Sequence, residues 1–573
     1  RHMRRFFIPR PRLGARGIRP AALAILLLCA APQTSTFAQH EHHGQQPPPQ
    51  TKPKPEVRPQ PTPADKHTTQ PQQDAQHQHG EHAAPAPSPS PSPSPAPAPS
   101  PAWGDKLRDD AHKGHTPDAH EGHAPPSPGS ARPAASSHEG HGAADAEGRA
   151  LLVTSAGGMG IRVGRSAGNF LSMGQMGSGT AWQPASSPMY MWHGRAGEWL
   201  LMMHGEVKLG VNSQGGPRGV TKFESQNWVM PMAFRRVGRG TLQLRGMFSL
   251  EPLTFSGAGS PQLFQTGEVY QGRPIRDFQH PHDLFMELSA QYTLPVGERG
   301  TWYAYLGYPG EPALGPVAFM HRTSASENPS APLNHHLMDS THIVFGVFTT
   351  GFTYRWLKLE GSIFNGREPD DQRYDFEANP WTSRSARVTV APNANWAFQF
   401  SHGLLKNPEF FSPGETRRTT ASAQYNRPLA RGNWATTFAW GRNREEHDGE
   451  TFRLNGYLFE STLNFLRRNY LYTRLELVDR EGDDLLSHDE LHELGFGEGA
   501  HPVFRVGAFT FGAARDLWAG DKLSVALGGD ITGYHKPEVL DAVYGRRPTS
   551  YKLFVRIRPS QMTHAAHGGH DDE

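Results

Sequence analysis

Residues 551–558 read Tyr551-Lys552-Leu553-Phe554-Val555-Arg556-Ile557-Arg558, an alternation of apolar and charged side chains. Successive side chains of a β-strand point to opposite faces, so the alternation predicts a strand with one apolar and one polar face. Residues 357–363 and 471–477 repeat the pattern. Their polar faces carry Lys358 with Glu360, and Arg474 with Glu476.

Segments of this kind recur through the chain after Trp199. Sixteen strands are predicted, beginning near Trp199, Asn227, Thr241, Leu284, Thr301, His342, Leu357, Arg387, Trp396, Thr419, Trp434, Phe452, Asn469, Phe504, Lys522 and Ser550. The connections are longer after odd strands, as at 251–283, 309–341 and 481–503, and short after even ones, as at 238–240. An even strand number with this alternation is typical of bacterial outer-membrane barrels.

The predicted fold is therefore all-β, a transmembrane antiparallel β-barrel over residues 198–560 with both chain ends in the periplasm. A soluble propeller also has many short strands, but it needs repeated blade motifs, and the strand region shows no internal repeat.

Residues 1–38 have the form of a secretory signal peptide that directs export. Several arginines precede an apolar run at 21–31, and small residues close the segment at 35–38. The run is too short for a membrane-spanning helix, which needs about 20 residues. The chain's single cysteine, Cys29, lies in this leader, so the mature protein is expected to lack disulfides and thiol sites.

Residues 39–149 form an arm of Pro, Ser, Ala, Gln and His that is predicted to be disordered, because it has too few apolar side chains to bury. It carries thirteen of the 31 histidines. Three His-x-Gly-His repeats stand out, at His112 and His115, His120 and His123, and His138 and His141. Closely spaced imidazoles bind copper, nickel or zinc, although a linker merely rich in histidine is the alternative. The tail at 561–573 is also rich in histidine.

A Met/Gly-rich segment at 150–197 precedes the barrel and runs into its first strand. Seven of the fifteen methionines lie between Met159 and Met203. Thioether sulfur favours Cu(I), so the mixed cluster predicts copper ahead of zinc or nickel. Its candidate ligands are Met189, Met191, His193, Met202 and His204. We expect Met202 and His204 to face the lumen, and Met230, Met232 and Met286 to face lipid.

A third set of candidate metal ligands lies on the long loops. Its members are His280, His282, His335, His336 and Met338, with Met320-His321 and His342 nearby in sequence. They approach the pore only if the loop at 309–341 folds into the lumen, and they are otherwise ordinary polar loop residues. The charged side chains predicted to line the pore are Glu206, Lys208, Arg245, Glu287, Lys358, Glu360, Arg474, Glu476 and Arg556.

Two other functional classes have little support in the sequence. The net charge is +2 with no basic stripe, so nucleic-acid binding is not expected. Residues 164–168 match the nucleophile-elbow pattern around Ser166, but they lack its strand-turn-helix context, and no enzyme is predicted.

The combination of leader, metal-binding arm and C-terminal barrel resembles the copper-resistance B proteins of the bacterial outer membrane. The resemblance lies in the layout, and this arm has histidine where the family has methionine with histidine. It implies copper sequestration or export at the outer membrane and transfers no catalytic residues. The expected partners are outer-membrane lipid, metal ions and periplasmic metal-handling proteins. The competing hypotheses are a general porin or solute channel with an incidental arm and, least favoured, an outer-membrane hydrolase.

Overall fold

The structure, a computed structural model, describes residues 151–155, 158–164, 169–410, 414–447 and 449–562. The predicted signal peptide, the arm with its six repeat histidines, Ser166 and the tail from residue 563 lie outside these ranges. Within them, no helix is long and apolar enough to cross a membrane.

Sixteen antiparallel strands close into a barrel, which confirms the predicted fold class. The strands are β5 (Trp199–Ser213), β6 (Thr221–Val237), β7 (Gly240–Phe248), β10 (Phe285–Val296), β11 (Gly300–Gly307), β12 (Val347–Tyr354), β13 (Leu357–Phe364), β14 (Ser383–Asn393), β15 (Trp396–Lys406), β16 (Glu415–Leu429), β17 (Gly432–His447), β18 (Glu450–Phe465), β19 (Asn469–Glu481), β20 (Val503–Ala519), β21 (Leu523–His535) and β22 (Thr549–Pro559).

The barrel closes at a seam on β5 that two segments share. The last strand, β22, pairs with β5 from Val207 to Ser213. The rest of that edge, from Trp199 to His204, pairs with the short strand β4 (Met191–Ala196). The two segments meet partway along β5, where Tyr190 bridges Gln561.

Each strand has one exposed and one buried face, as the alternation predicts. In β22, Tyr551 and Leu553 are 59% and 57% exposed, whereas Lys552 and Arg556 are 7% and 0% exposed. Apolar side chains thus form the outer face, and polar ones point inward.

The expectation that Met230, Met232 and Met286 face lipid is wrong, because all three are buried inside the barrel. Alternation separates two faces without saying which is the outer one. Register decides it: Met230 pairs with His204, and Met232 pairs with the inward-facing Met202.

The connections divide the barrel into two ends. Those after β6, β10, β12, β14, β16, β18 and β20 are short and define the turn end. Most connections at the opposite loop end are long, notably 249–284, 308–346, 365–382 and 482–502, although β17 and β18 are joined by residues 448–449 alone.

The remaining elements are short and lie in the N-terminal segment and the connections. They are a small sheet of β1 (Leu152–Ser155), β2 (Gly158–Arg162) and β3 (Phe170–Ser172), the hairpin β8 (Ser260–Tyr270) and β9 (Arg273–Gln279), and helices α1 (Glu251–Thr254), α2 (His335–Met338), α3 (Gly482–Leu485), α4 (His488–Glu493) and α5 (Asp541–Tyr544).

Two segments fill the interior of the barrel. Residues 169–190, here called the plug, enter from the turn end, where Ser186 bonds to the backbone of Ala394 and Asn426. Residues 308–346, here called the folded-in loop, enter from the loop end. They reach the inner wall, where Asn334 donates to Glu476 and packs so closely on Gly456 that a β-carbon there would clash. The plug and the folded-in loop thus pack against the inner wall of the barrel.

Candidate functional site

The plug is held by charged side chains of the barrel wall. Arg245 bonds to the carbonyl of Gly179 at 2.5 Å and pairs with Glu287 at 2.8 Å. Thr180 donates to Glu360 at 2.6 Å, and Glu360 also pairs with Lys358 and Arg387 at 3.1 and 2.9 Å. The wall charges therefore neutralise one another and bind the plug through its carbonyl and hydroxyl groups.

The folded-in loop is held by a second set of ion pairs. Its Arg322 lies between Asp339 of the same loop, at 3.0 Å, and Glu460 of β18, at 2.7 Å. Glu460 also pairs with Arg474 at 2.8 Å. All of these side chains are almost fully buried, so removing one partner leaves an unpaired buried charge.

Glu327 of the folded-in loop makes the third attachment. It pairs with Arg558 at 3.0 Å and with Arg556, which also pairs with Asp516 at 2.5 Å. Glu327 and Arg556 are both fully buried. One loop carboxylate thus compensates two wall cations at the seam strand.

These contacts change what the nine predicted pore-lining residues do. They lie on the inner face, but they are paired or hydrogen-bonded under the plug and the folded-in loop, as Lys208 is to Glu206 at 2.5 Å. In this structure they hold the interior together.

Replacing Glu327 with Gln is expected to destabilise the barrel by about 3–5 kcal/mol, because two buried guanidinium groups lose their shared partner. The measurement is the thermal unfolding midpoint of the refolded protein in detergent. The control is Glu198→Gln, which removes an exposed pair with Arg235 and should cost under about 1 kcal/mol. Equal midpoints for both variants would contradict the attachment.

Methionine and histidine meet in the interior near the turn end. Twelve of the fifteen methionines belong to one cluster. Eight of them are nine-tenths or more buried: Met159, Met173, Met191, Met202, Met230, Met232, Met247 and Met286. The other four, Met176, Met189, Met320 and Met562, pack against these. Register arranges part of the cluster in two rows across β4, β5 and β6. One row is Met191, His204 and Met230, and the other is His193, Met202 and Met232.

Plug and folded-in loop complete this Met/His chamber. Met173, Met176 and Met189 come from the plug side, and Met320 and His321 come from the folded-in loop. They enclose a cavity of about 100 Å³, large enough for several water molecules. The Nε2 atom of His321 lies 3.4 Å from the sulfur of Met247.

The chamber holds neutral, soft donor atoms. Burial, followed by the nearby His204 and Arg245, lowers the pKa of His321 to about 3, so its imidazole is uncharged at neutral pH. The buried Nε2 of His204 has no hydrogen-bond partner. Uncharged imidazole and thioether donors suit a soft monovalent ion such as Cu(I) better than a hard cation.

The loop end holds a separate group of histidines. The ring centroids of His282 and His342 lie 5.3 Å apart, and those of His335 and His342 lie 5.0 Å apart. The Nδ1 atoms of His282 and His335 contact Glu251 and Asp339 at 2.7 and 2.8 Å. Burial lowers the pKa of His342. Burial also lowers the pKa of His280, and the nearby Arg373 lowers it further.

The structure thus separates the predicted metal ligands into two places. Met189, Met191, His193, Met202 and His204 lie at or beside the chamber, whereas His280, His282, His335 and His336 lie near the loop end. Met338 contacts Ala439 and Leu458 instead. Sequence reasoning left Met230, Met232 and Met286 out of the chamber and kept Met320-His321 with the loops. A paired-strand register between β5 and β6 would have found the first two.

Comparisons with known proteins find distant structural similarity and no family. No protein-family model matches the chain, and no curated protein matches it. An anion-selective porin from Comamonas acidovorans is similar at 10% identity and a TM-score of 0.40, covering 63% of this chain and 100% of the porin. OmpF of Salmonella typhi, solved with daunomycin, is also 10% identical, with a TM-score of 0.37 and coverage of 64% and 100%. A loop-deletion mutant of OmpT from Vibrio cholerae is 8% identical at a TM-score of 0.37, with coverage of 63% and 99%.

The closed sixteen-strand barrel with an apolar outer face and a polar inner face is a porin-like outer-membrane β-barrel.

Proposed function

We propose that this chain is an outer-membrane channel protein that binds and passes a soft metal ion, with Cu(I) as the first candidate. The observation that supports the proposal most is the Met/His chamber inside the barrel. It is also the function implied by the resemblance to the copper-resistance B proteins. In this proposal the turn end, where both ends of the described chain lie, faces the periplasm.

Packing alone is the simpler explanation of buried methionines, since methionine fills irregular gaps well. Three features favour ion binding over packing. Each row contains one histidine beside two methionines, the His204 Nε2 atom is left without a partner, and a cavity remains between the side chains. A purely apolar layer has no need of buried imidazoles, which are costly to desolvate.

A channel for small solutes is the second candidate. It is favoured by the sixteen-strand barrel itself, because barrels of this size enclose an aqueous lumen when their inner segments move aside. The charged inner face would then select solutes by charge, and the chamber would only pack the plug.

Growth of cells in graded copper distinguishes the two candidate functions. In a strain lacking its own copy, a variant with Met191→Leu, Met202→Leu, His193→Ala and His204→Ala is expected to lose most of the growth that the parent supports in graded copper. The reason is that each chamber row loses two of its three donor side chains. Single-channel conductance for small ions is measured on the same proteins and should stay similar.

Met203→Leu provides the matched control, since Met203 lies on the same strand between two chamber residues but on its outer face. It should behave as the parent. Equal copper tolerance in parent, four-residue variant and empty strain would reject the metal function and leave the solute channel.

A further inference from the structure

Three connections at the loop end bring one imidazole and two carboxylates together, away from the Met/His chamber. The Nδ1 atom of His336 lies 3.4 Å from a carboxylate oxygen of Glu368 and 3.7 Å from one of Glu409. All three donor atoms lie within 4.8 Å of one another. His336 belongs to the folded-in loop, Glu368 to residues 365–382 and Glu409 to the connection after β15.

The distances fit a shared ion better than a hydrogen bond. Charge-assisted N–H···O bonds are about 2.7–2.9 Å long. Two ligands bound tetrahedrally at about 2.1 Å from one metal lie about 3.4 Å apart. Neither ring nitrogen of His336 has a hydrogen-bond partner, and the Oε2 atom of Glu368 has none.

The three side chains are held in place by the surrounding structure. His336 is 3% exposed, and its carbonyl accepts bonds from Arg418 and Asn443 of the barrel wall. Its ring packs on Gly267, where a β-carbon would lie 2.3 Å from the ring. The backbone N–H of Glu368 donates to the carbonyl of Pro408 at 2.9 Å, which joins the two connections that carry the carboxylates.

Solvent reaches the site from one side. The Glu368 side chain is 5% exposed, whereas that of Glu409 is 25% exposed. A cation thus has both an entry path and a built set of donors.

We propose that His336, Glu368 and Glu409 bind one divalent first-row cation of the Zn(II) type, which fastens the folded-in loop to the two neighbouring connections. The donors are one nitrogen and two oxygens, a borderline set unlike the soft donors of the chamber. This site stands independently of the proposed Cu(I) function.

The test is hydrogen exchange measured by mass spectrometry on the full chain in detergent, with and without Zn(II) chloride. Peptides covering 333–346, 366–373 and 404–410 report the site separately from the histidine-rich arm. With Zn(II) at about 100 times its dissociation constant, hydrogen exchange through local opening should be about 100-fold slower in the parent.

The variant Glu368→Gln with Glu409→Gln should lose this protection. Glu493→Gln with Glu498→Gln makes the same charge change on exposed residues of a neighbouring connection and should keep it. If the double ligand variant does not fold, Glu409→Gln alone carries the test, because Glu409 lies at the solvent side. Gly267→Ala, which leaves all three ligands in the chain, should also weaken protection by displacing the ring.

Unchanged exchange in the parent on adding Zn(II), or equal protection in parent and ligand variant, would overturn the site. Protection by Ca(II) but not Zn(II) would overturn the metal class, since Ca(II) takes six to eight oxygen ligands. The Cu(I) function is tested elsewhere in the barrel, so either proposal can fail alone.

Discussion

Deleting residues 312–341 and joining the ends with a short Gly-Ser linker is expected to raise single-channel conductance roughly tenfold or more, because a sixteen-strand barrel is wide enough for an aqueous channel. In the structure this loop occupies the inner face of β16–β19 and reaches β22 through Glu327. Its removal leaves Glu460 still paired with Arg474, so the wall keeps part of its charge compensation.

The measurement is current through planar bilayers containing the purified protein. Deletion of residues 497–499, an exposed stretch of another long connection, serves as the control and should leave conductance at the parent level. A loop-deleted barrel that conducts no better than the parent would show that the plug alone closes the lumen.

The second large effect concerns the atoms around bound copper. With Cu(I) added to the full chain, X-ray absorption is expected to show sulfur scatterers. A variant with Met202→Leu, Met230→Leu and Met232→Leu should lose most of that signal. Leucine keeps nearly the volume of methionine and removes the sulfur, so the packing is retained while three of the four sulfur atoms in the two rows disappear.

The arm at 39–149 contains no methionine, so copper held there shows only nitrogen and oxygen neighbours. Met203→Leu and Met338→Leu are the controls, because neither side chain belongs to the chamber cluster. Sulfur scattering of equal strength in the triple variant, or none in the parent, would reject the chamber as a copper site.

The strands could be predicted because each strand of a wall between lipid and a polar interior alternates apolar and polar side chains along its own sequence. Strands begin at Trp199, Leu357, Trp396 and Asn469, as predicted. The two largest differences have physical reasons. The strand predicted near Asn227 begins at Thr221, because its loop-end part is polar and so resembles a loop in sequence. The strand predicted near His342 begins at Val347, because residues 342–346 belong to the folded-in loop.

The candidate sites depend on distant pairings, which local patterns do not contain. Glu368 and Glu409 looked like ordinary loop acids, and only the closed barrel brings them to His336. Likewise, alternation grouped Met230 with Met232 but could not say which face was inward. The first strand was oriented correctly because its lumen-side residues include Glu206 and Lys208, which the lipid side excludes.

The shared seam on β5 bears on the order in which the molecule assembles. Closure joins Val207–Ser213 to a strand far along the chain, so this pairing carries a large loop-closure entropy. Without it, this part of the β5 edge is open to any other chain with an unpaired strand. β4 covers the other half of that edge from nearby in sequence, and the plug directly precedes it. Local pairing thus protects one half of the β5 edge independently of the long-range closure.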